Sequence, residues 1–225
     1  MTEPVLVCWS GGKDSALALH AVLADPALRV AALLTTVTEG PERASLHGVR
    51  WDLVRRQADA MGLPIEAVRL RPGAAEEEYE ARMRRVLERH RAAGVSRCVF
   101  GDVFLAAARD RRDRNLAKVG MRGLYPVWRR DSRDLARAFI EAGFRAILVC
   151  VDSRQLGPEF LGREFDAALL RDLPPGVDPC GENGEFHTFV CAGPIFRRTV
   201  PVVRGETVER DGFWFCDLVA EEGTP

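Results

Sequence analysis

The sequence predicts an α/β protein in which a parallel sheet, covered by helices on both faces, is followed by a smaller mixed α/β domain. Short apolar runs alternate with helix-length stretches through the first half of the 225 residues, as they do in βαβ units. After about residue 128 this pattern gives way to Pro- and Gly-rich stretches and short strand-like runs. We therefore predict a domain boundary near Trp128, with domains over 1–128 and 129–225.

Apolar runs and helix-end signals define the elements of the first half. The second predicted helix ends at Gly62 and Pro64, and a long charged helix closes at Gly94. The predicted strands are Val5–Trp9, Arg29–Val37, Pro64–Leu70 and Val95–Gly101, and the predicted helices are Ala16–Leu23, Val49–Met61 and Glu76–Ala93.

The second half combines one helix–strand pair with an antiparallel tail. Gly143 separates the predicted helix Leu135–Ala142 from the strand Phe144–Val151. Turn signals at Gly193-Pro194 and Asp211-Gly212 separate the tail strands. These strands are predicted at Thr188–Cys191, Arg198–Val203 and Phe213–Val219.

The composition argues against several classes of protein. The net charge of -1 argues against a nucleic-acid partner, because such proteins are usually basic. No apolar run reaches the roughly 18 residues of a membrane span, and the N-terminus lacks a signal-peptide layout. Six dispersed cysteines without a Cys-x-x-Cys suit a reducing cytoplasm and no structural zinc. We expect a cytoplasmic protein without a membrane partner.

The segment Ser10–Ser15 (Ser-Gly-Gly-Lys-Asp-Ser) lies between the first predicted strand and the first predicted helix. Glycines let a backbone approach an oxyanion, and the first N–H groups of a helix attract negative charge. The serines add hydroxyl donors, Lys13 adds a positive charge, and Asp14 is the kind of residue that meets phosphate through Mg²⁺. The predicted ligand is the pyrophosphate of a nucleotide, bound by Ser10, Gly11, Gly12, Lys13, Asp14 and Ser15.

Two common nucleotide loops do not fit this segment. A Walker A loop would place Ser or Thr directly after the lysine, where this chain has Asp14, and no Gly-x-Gly-x-x-Gly occurs. The segment resembles the PP-loop of the ATP pyrophosphatase superfamily, which has the pattern Ser-Gly-Gly-x-Asp-Ser after the first strand.

A second polar motif occupies residues 179–188 (Pro-Cys-Gly-Glu-Asn-Gly-Glu-Phe-His-Thr). It places two carboxylates, an amide and a histidine among glycines that permit tight turns. An isolated segment of this kind would equally suit a solvated turn. In a chain that also has an ATP loop, it predicts the surface for an acceptor substrate.

Together the motifs resemble the diphthine–ammonia ligase family of PP-loop ATPases (N-type ATP pyrophosphatases, adenine nucleotide alpha hydrolase-like). The matching pieces are Ser10–Ser15, Gly101-Asp102 with Arg109, Leu124–Trp128, Glu141–Phe144, Leu161–Arg163 and Glu182–Thr188. The family's last signature is Glu-Gly-Gly-Glu-Phe-Glu-Thr, so Asn183 and His187 mark a divergent member and bear on the acceptor. The excess of Arg over Lys is typical of a GC-rich genome, and a bacterial host would need an acceptor other than diphthine.

The resemblance implies a HUP/Rossmann-like sheet with a PP-loop over 1–128 and a substrate-side domain over 129–225. It implies that an acceptor carboxylate is adenylated, that pyrophosphate leaves, and that ammonia then displaces AMP to give an amide. The implied cofactors are ATP and Mg²⁺. The implied partners are ATP, ammonia and a carboxylate-bearing protein or small molecule, and a homodimer stays open.

The family pattern assigns roles position by position. Catalytic roles fall to Lys13, Asp14, Glu185 and His187, with His187 as a base toward ammonia. The residues assigned to Mg²⁺ are Asp14 and Asp102. Thr35, His47 and Gly101 complete the ATP site. The residues assigned to the acceptor are Arg109, Glu182, Asn183, Gly184 and Thr188.

Other interpretations stay open from the sequence alone. A PP-loop reaction on a nucleobase is disfavoured by the missing Cys-x-x-Cys and the absence of a basic surface. A nucleotide-binding sensor without turnover is a third class. Lys13 has the alternative role of a solvated loop charge, and the basic run Arg109–Arg114 that of a solvated helix face with internal ion pairs.

Overall fold

The computed structural model describes residues 2–40, 42–44 and 48–221, which form two sheets with helices around them. The strands are β1 (Glu3–Cys8), β2 (Leu28–Thr38), β3 (Arg43–Ala44), β4 (Ile65–Leu70), β5 (Arg97–Val99), β6 (Arg122–Leu124), β7 (Arg145–Asp152), β8 (Phe186–Ala192), β9 (Val202–Arg210) and β10 (Phe213–Ala220). The helices are α1 (Lys13–Ala24), α2 (Trp51–Met61), α3 (Glu76–Ala92), α4 (Ala106–Ala117), α5 (Ser132–Glu141) and α6 (Ala167–Asp172), with a 3₁₀ turn at Pro158–Phe160.

The first sheet is parallel, as the sequence predicts, apart from the short strand β3. Its parallel strands lie in the order β4-β2-β1-β5-β6, and β3 pairs antiparallel with the end of β2. The chain builds outward from β1 through β2 to β4, then returns to the other side of β1 as β5. Such a reversal opens a crevice at the carboxyl ends of the strands, where ligands of α/β sheets bind. The crevice here lies between β1 and β5.

The second sheet is antiparallel, with the strand order β8-β7-β10-β9. The hairpin between β9 and β10 turns at Asp211 and Gly212, which both have positive φ, as a two-residue hairpin turn requires. The predicted strand Arg198–Val203 is wrong, because pairing begins only at Val202. Pro194 and Pro201 interrupt the preceding segment, and proline cannot donate to a strand ladder.

The parallel sheet buries both faces. Val5 and Val7 of β1 belong to one cluster of buried side chains, while Leu6 belongs to a second cluster beneath α3 and α4. This alternation is the two-residue period of a strand. The first cluster continues into the second sheet, where it includes Phe189 and Leu218. Both sheets therefore share one interior, and the division at Trp128 stays a prediction.

The helices have ordinary lengths for an α/β protein. None in the described ranges combines the length and apolarity that crossing a bilayer requires.

The contact between the end of β5 and the start of α1 has no room for a side chain. An added Cβ at Gly101 would lie 2.6 Å from the carbonyl carbon and oxygen of Asp14 and 2.8 Å from the amide nitrogen of Ser15. These are all backbone atoms, so no flexible side chain can yield. The lack of a side chain at Gly101 therefore allows the end of β5 and the start of α1 to pack this closely.

We expect Gly101→Ala to lower the free energy of unfolding by about 1–3 kcal/mol, because the new methyl forces the backbones apart. Urea denaturation measures the change. Gly205→Ala on β9 is the matched control, since its nearest atom would lie 3.3 Å away. Equal stabilities of the two variants would contradict the close packing at Gly101.

Candidate active site

A cavity of about 740 Å³ opens at the carboxyl ends of β1, β2 and β5. One wall carries Ser10–Ser15, which we call the phosphate loop, and the opposite wall carries α3 and α4. A third wall carries the signature segment, defined as Glu182–Thr188. The predicted site residues on the cavity wall are Ser10, Lys13, Asp14, Ser15, Thr35, Gly101, Asp102, Glu182, Gly184, His187 and Thr188. The two motifs, far apart in the sequence, thus share one cavity.

The phosphate loop is held by short-range hydrogen bonds. Ser10 Oγ donates to Ser15 Oγ at 3.1 Å, and Ser15 Oγ donates to the Gly12 carbonyl oxygen at 2.8 Å. The Gly12 amide donates to Ser10 Oγ at 3.3 Å. Gly11 has a φ of 83°, a conformation that favours glycine. The loop therefore places the N-terminus of α1 at the cavity, where the backbone dipoles of the helix favour an anion.

The signature segment reaches the same helix end. The Lys13 amide donates to Thr188 Oγ1 at 3.1 Å. Thr188 is buried at the beginning of β8. Its hydroxyl thus satisfies one N–H group that a helix start leaves without an intrahelical partner. An anion that docks here competes with this hydroxyl and with Ser10.

Lys13 is buried rather than solvated. Its ammonium lies 2.8 Å from both carboxylate oxygens of Asp14 and 4.0 Å from Glu182 Oε1. Burial lowers the pKa of Lys13, but Asp14, Cys180 and Glu182 more than offset this and raise it above its ordinary value. The lysine stays charged at neutral pH. The alternative of a solvated loop charge is therefore wrong.

Glu182 carries a proton at neutral pH. Its pKa is raised from 4.5 to about 8: burial is the largest cause, the nearby Asp14 carboxylate adds to it, and Lys13 opposes the shift. A carboxyl group that titrates near the working pH suits proton transfer.

His187 is neutral at pH 7. Its pKa is lowered from 6.5 to about 4, chiefly by burial and also by the positive charge of Lys13, while Asp14 opposes the shift. It lies on β8 opposite Cys150 of β7. A neutral imidazole can donate or accept a hydrogen bond, but with this pKa it is a weak base.

The structure places Glu185 away from the cavity wall. Its side chain is fully buried, and its carboxylate accepts hydrogen bonds from the amides of Asp178 and Asn183 at 2.9 Å and from Asn183 Nδ2 at 3.0 Å. These contacts fold the segment 178–185 into a fixed loop. Glu185 and Asn183 thus shape the signature segment, and direct contact of either with substrate stays a prediction.

The loop that carries Glu182 depends on one more acidic residue. Asp178 Oδ1 accepts from the amides of Cys180 at 2.8 Å and Glu182 at 3.3 Å, and Asp178 Oδ2 accepts from Ser132 Oγ at 2.7 Å. Sequence analysis missed Asp178, although an Asp side chain in a turn commonly accepts a hydrogen bond from the backbone amide two residues further on.

Asp102 has the features of a cation ligand. Its Oδ1 accepts from Arg112 Nη2 at 3.0 Å, whereas the buried Oδ2 has no hydrogen-bond partner among the described residues. Burial raises the pKa of Asp102, Arg112 opposes this, and the negative charge of Asp14 adds to it. A buried oxygen without a partner is unfavourable unless a ligand supplies one. The residues present therefore fit a cation.

No group of three or more acidic, histidine or cysteine side chains in the described ranges could hold a metal by itself. Mg²⁺ commonly uses one or two carboxylates and takes its remaining ligands from phosphates and water. The pair Asp14 and Asp102 suits that mode.

Arg109 lies outside the cavity wall. Its guanidinium lies 4.6 Å from the centre of the Tyr125 ring and 4.7 Å from the centre of the Trp128 ring, and it pairs with Asp113. The arginines of α4 on the cavity wall are Arg111 and Arg112. Clamping of the acceptor by Arg109 stays a prediction, and the placement favours Arg112 for contact with an anion.

The cavity wall also includes Thr35 and Thr36 of β2. His47 falls within residues 45–47, outside the described residues. At the other end, apolar side chains beneath α3 and α4 form the wall, including Leu70, Met83, Leu87 and Phe100.

Sequence analysis also missed Gln57 and the pair Cys8 and Cys98. Gln57 Nε2 donates to the Gly11 carbonyl at 3.0 Å and to the Val190 carbonyl at 2.6 Å. Cys8 and Cys98 face each other on the cavity wall. Both contacts join distant positions, so no local signal could have revealed them.

Comparison with known proteins identifies the family. The family model of the diphthamide synthase N-terminal domain matches residues 3–123, and that of the diphthamide synthase C-terminal domain matches residues 131–220. The chain belongs to the diphthamide synthase family. The resemblance drawn from the motifs is thereby confirmed.

Curated relatives share this family. A Mus musculus protein named diphthine–ammonia ligase is 28% identical over 223 residues, which cover 88% of this chain and 82% of the relative. A Danio rerio protein of the same name is 28% identical over 224 residues, with coverages of 88% and 86%. As a member of the family, this protein is an ATP-dependent ligase.

The raised pKa of Glu182 has a consequence for stability. Between pH 4.5 and about 8 the folded chain keeps a proton that the unfolded chain releases. The free energy of unfolding therefore falls as pH rises through this window, by up to about 1.4 kcal/mol per pH unit from this group. We expect Glu182→Gln, which is neutral throughout, to remove that part of the slope.

Urea denaturation at about pH 5, 6.5 and 8, which together span this window, measures the free energy of unfolding of the two proteins. The lowered pKa of His187 gives both proteins the same pH dependence of stability, so its effect cancels in the comparison. Glu206→Gln on the exposed part of β9 is the control and should follow the parent. Parallel curves for the parent and Glu182→Gln would contradict the raised pKa.

Proposed function

We propose that the protein catalyses AMP-forming amidation of an acceptor carboxylate resembling diphthine, with ATP and ammonia as co-substrates. The observation that carries the proposal is the junction of the two motifs in one cavity. Lys13 belongs to the phosphate loop, yet its amide contacts Thr188 and its ammonium lies 4.0 Å from Glu182. A nucleotide phosphate at α1 and an acceptor at the signature segment would therefore be neighbours, within a chain of the diphthamide synthase family.

The first step forms an acyl adenylate. One oxygen of the acceptor carboxylate attacks the α-phosphorus of ATP, the bond to the bridging oxygen breaks, and pyrophosphate leaves. The phosphate loop would bind that pyrophosphate through its N–H groups and serines, and Lys13 would stabilise the negative charge that develops. Burial strengthens the contribution of Lys13, because water screens it little.

The second step forms the amide. The nitrogen of ammonia attacks the acyl carbon, AMP leaves, and the nitrogen gives up a proton. Glu182 is protonated at neutral pH and cannot accept this proton, whereas His187 is neutral there. We therefore assign the proton to His187, whose low pKa favours passing it on to the departing AMP or to water, and to Glu182 a hydrogen bond that orients the acceptor or ammonia.

We assign Mg²⁺ to Asp14 and Asp102. The unpartnered Oδ2 of Asp102 and the carboxylate of Asp14, whose side chain is 30% exposed, support this assignment. When bound, the ion would neutralise charge on the phosphates of ATP.

We expect Gly12→Val to abolish ATP binding, because a branched side chain at the start of α1 would occupy the place of the phosphate. Isothermal calorimetry with Mg²⁺–ATP measures the affinity. Gly205→Val on β9, which is not part of the cavity wall, should bind as the parent does. Normal ATP affinity in Gly12→Val would refute the assignment of the phosphate loop.

We expect turnover with a suitable acceptor to yield AMP and pyrophosphate, because attack at the α-phosphorus leaves the β- and γ-phosphates joined. Chromatography of the nucleotides and a pyrophosphate assay, with and without ammonium chloride, give the products. ADP as the main product would overturn the proposal. Product formation independent of ammonia would overturn the amidation step alone.

A further inference from the structure

Cys8 and Cys98 lie side by side on the wall of the nucleotide cavity. Their sulfur atoms are 3.5 Å apart, although 90 positions separate them in the chain. The contact arises because β1 and β5 are parallel neighbours with Leu6 opposite Cys98. Cys8 lies two residues beyond Leu6, on the same face of the sheet.

The surroundings of the pair favour reaction at Cys8. Cys8 is partly exposed to the cavity, while Cys98 is buried beside it. The hydrogen bond with Cys98 and the positive charge of Arg112 hold the pKa of Cys8 below its ordinary value, against the effects of partial desolvation and of the Asp102 charge. A thiolate is the reactive form of cysteine, and a second thiol within reach resolves its oxidation product.

We propose that Cys8 and Cys98 form a reversible disulfide that weakens nucleotide binding, with hydrogen peroxide as the oxidant. The disulfide would regulate the ligase reaction, and neither cysteine takes part in the chemical steps of that reaction. The effect on binding rests on the proposed ATP site, whereas formation of the bond does not.

The chemistry needs one peroxide for each disulfide. The Cys8 thiolate attacks one oxygen of the peroxide, the O–O bond breaks, and Cys8 becomes a sulfenic acid as hydroxide takes up a proton and leaves as water. The Cys98 thiol then attacks the Cys8 sulfur, the S–O bond breaks, and a second water leaves. The two thiols lose two electrons, which reduce the peroxide. A dithiol reductant reverses the change by thiol–disulfide exchange.

Closing the bond would shift the parts of the chain that bind ATP. The sulfur atoms must approach from 3.5 Å to about 2.0 Å. Cys8 ends β1 two residues before the start of the phosphate loop, and Cys98 lies in β5 three residues before Gly101. Gly101 already packs on the backbone of α1 without room for a Cβ, so β5 cannot shift without moving the helix start. The shift therefore reaches the phosphate loop.

The test oxidises the full chain with hydrogen peroxide and compares it before treatment, after treatment and after reduction with dithiothreitol. Non-reducing peptide mapping by mass spectrometry detects the Cys8–Cys98 bond, and calorimetry measures ATP affinity. We expect the bond to form and the affinity to fall by about tenfold, the scale of one lost charge-assisted hydrogen bond. Reduction should restore it, and ATP added beforehand should slow formation of the bond.

Variants separate this pair from the other cysteines. Cys8→Ala and Cys98→Ala should keep their ATP affinity through oxidation, and thermal unfolding checks that each is folded. Cys216→Ala on β10, away from the cavity wall, should respond as the parent does. An oxidised parent without the Cys8–Cys98 bond, or with the bond and unchanged affinity, would overturn the switch alone. A reduced parent that binds no ATP would overturn the proposed function as well.

Discussion

The buried side-chain amide of Gln57 joins the phosphate loop to the second sheet. Its Oε1 accepts from Trp9 Nε1 at 2.9 Å, and its Nε2 donates to the carbonyls of Gly11 and Val190. The Gly11 carbonyl also accepts from the Val190 amide at 2.9 Å. The Nε2 group of Gln57 donates both of its hydrogens within the protein and Oε1 accepts one, so burial leaves no atom of the amide without a hydrogen-bond partner. Because α2, the loop and β8 meet at this one group, the position of the signature segment relative to α1 is fixed.

That junction concentrates negative charge around one lysine. Asp14 and Asp102 both raise the pKa of Glu182, and Asp14 also raises that of Asp102, while Lys13 is a buried cation beside them. The cluster carries more acidic groups than it can ionise at low cost, so Glu182 keeps its proton at neutral pH. An ATP phosphate would add further negative charge, which supports the arrival of the nucleotide together with a divalent cation.

Local patterns were enough to predict part of this site. The strand, the glycines and the helix start of the phosphate loop are neighbours in sequence, and the parallel order of the strands then places Gly101 and Asp102 beside them. Local patterns do not predict which face of α4 points toward the cavity, because only the packing of the helix decides that Arg112 rather than Arg109 lies on the cavity wall. For the same reason the sequence predicts Glu185 at the substrate surface without revealing that its carboxylate binds backbone amides of its own loop. Gln57 and the cysteine pair depend on contacts between distant positions.

The two departures from the family signature differ in their physical effect. Asn183 donates to both oxygens of Glu185, from its backbone amide and its side chain, so it preserves the loop that a glycine would form there. His187 changes charge, because its pKa of about 4 leaves it neutral where the signature has a glutamate. The cluster around Lys13 thus has one acidic group fewer than the signature would give it. Since the phosphate loop matches the family pattern, we infer that the difference concerns the acceptor, and that its place is the surface beside His187.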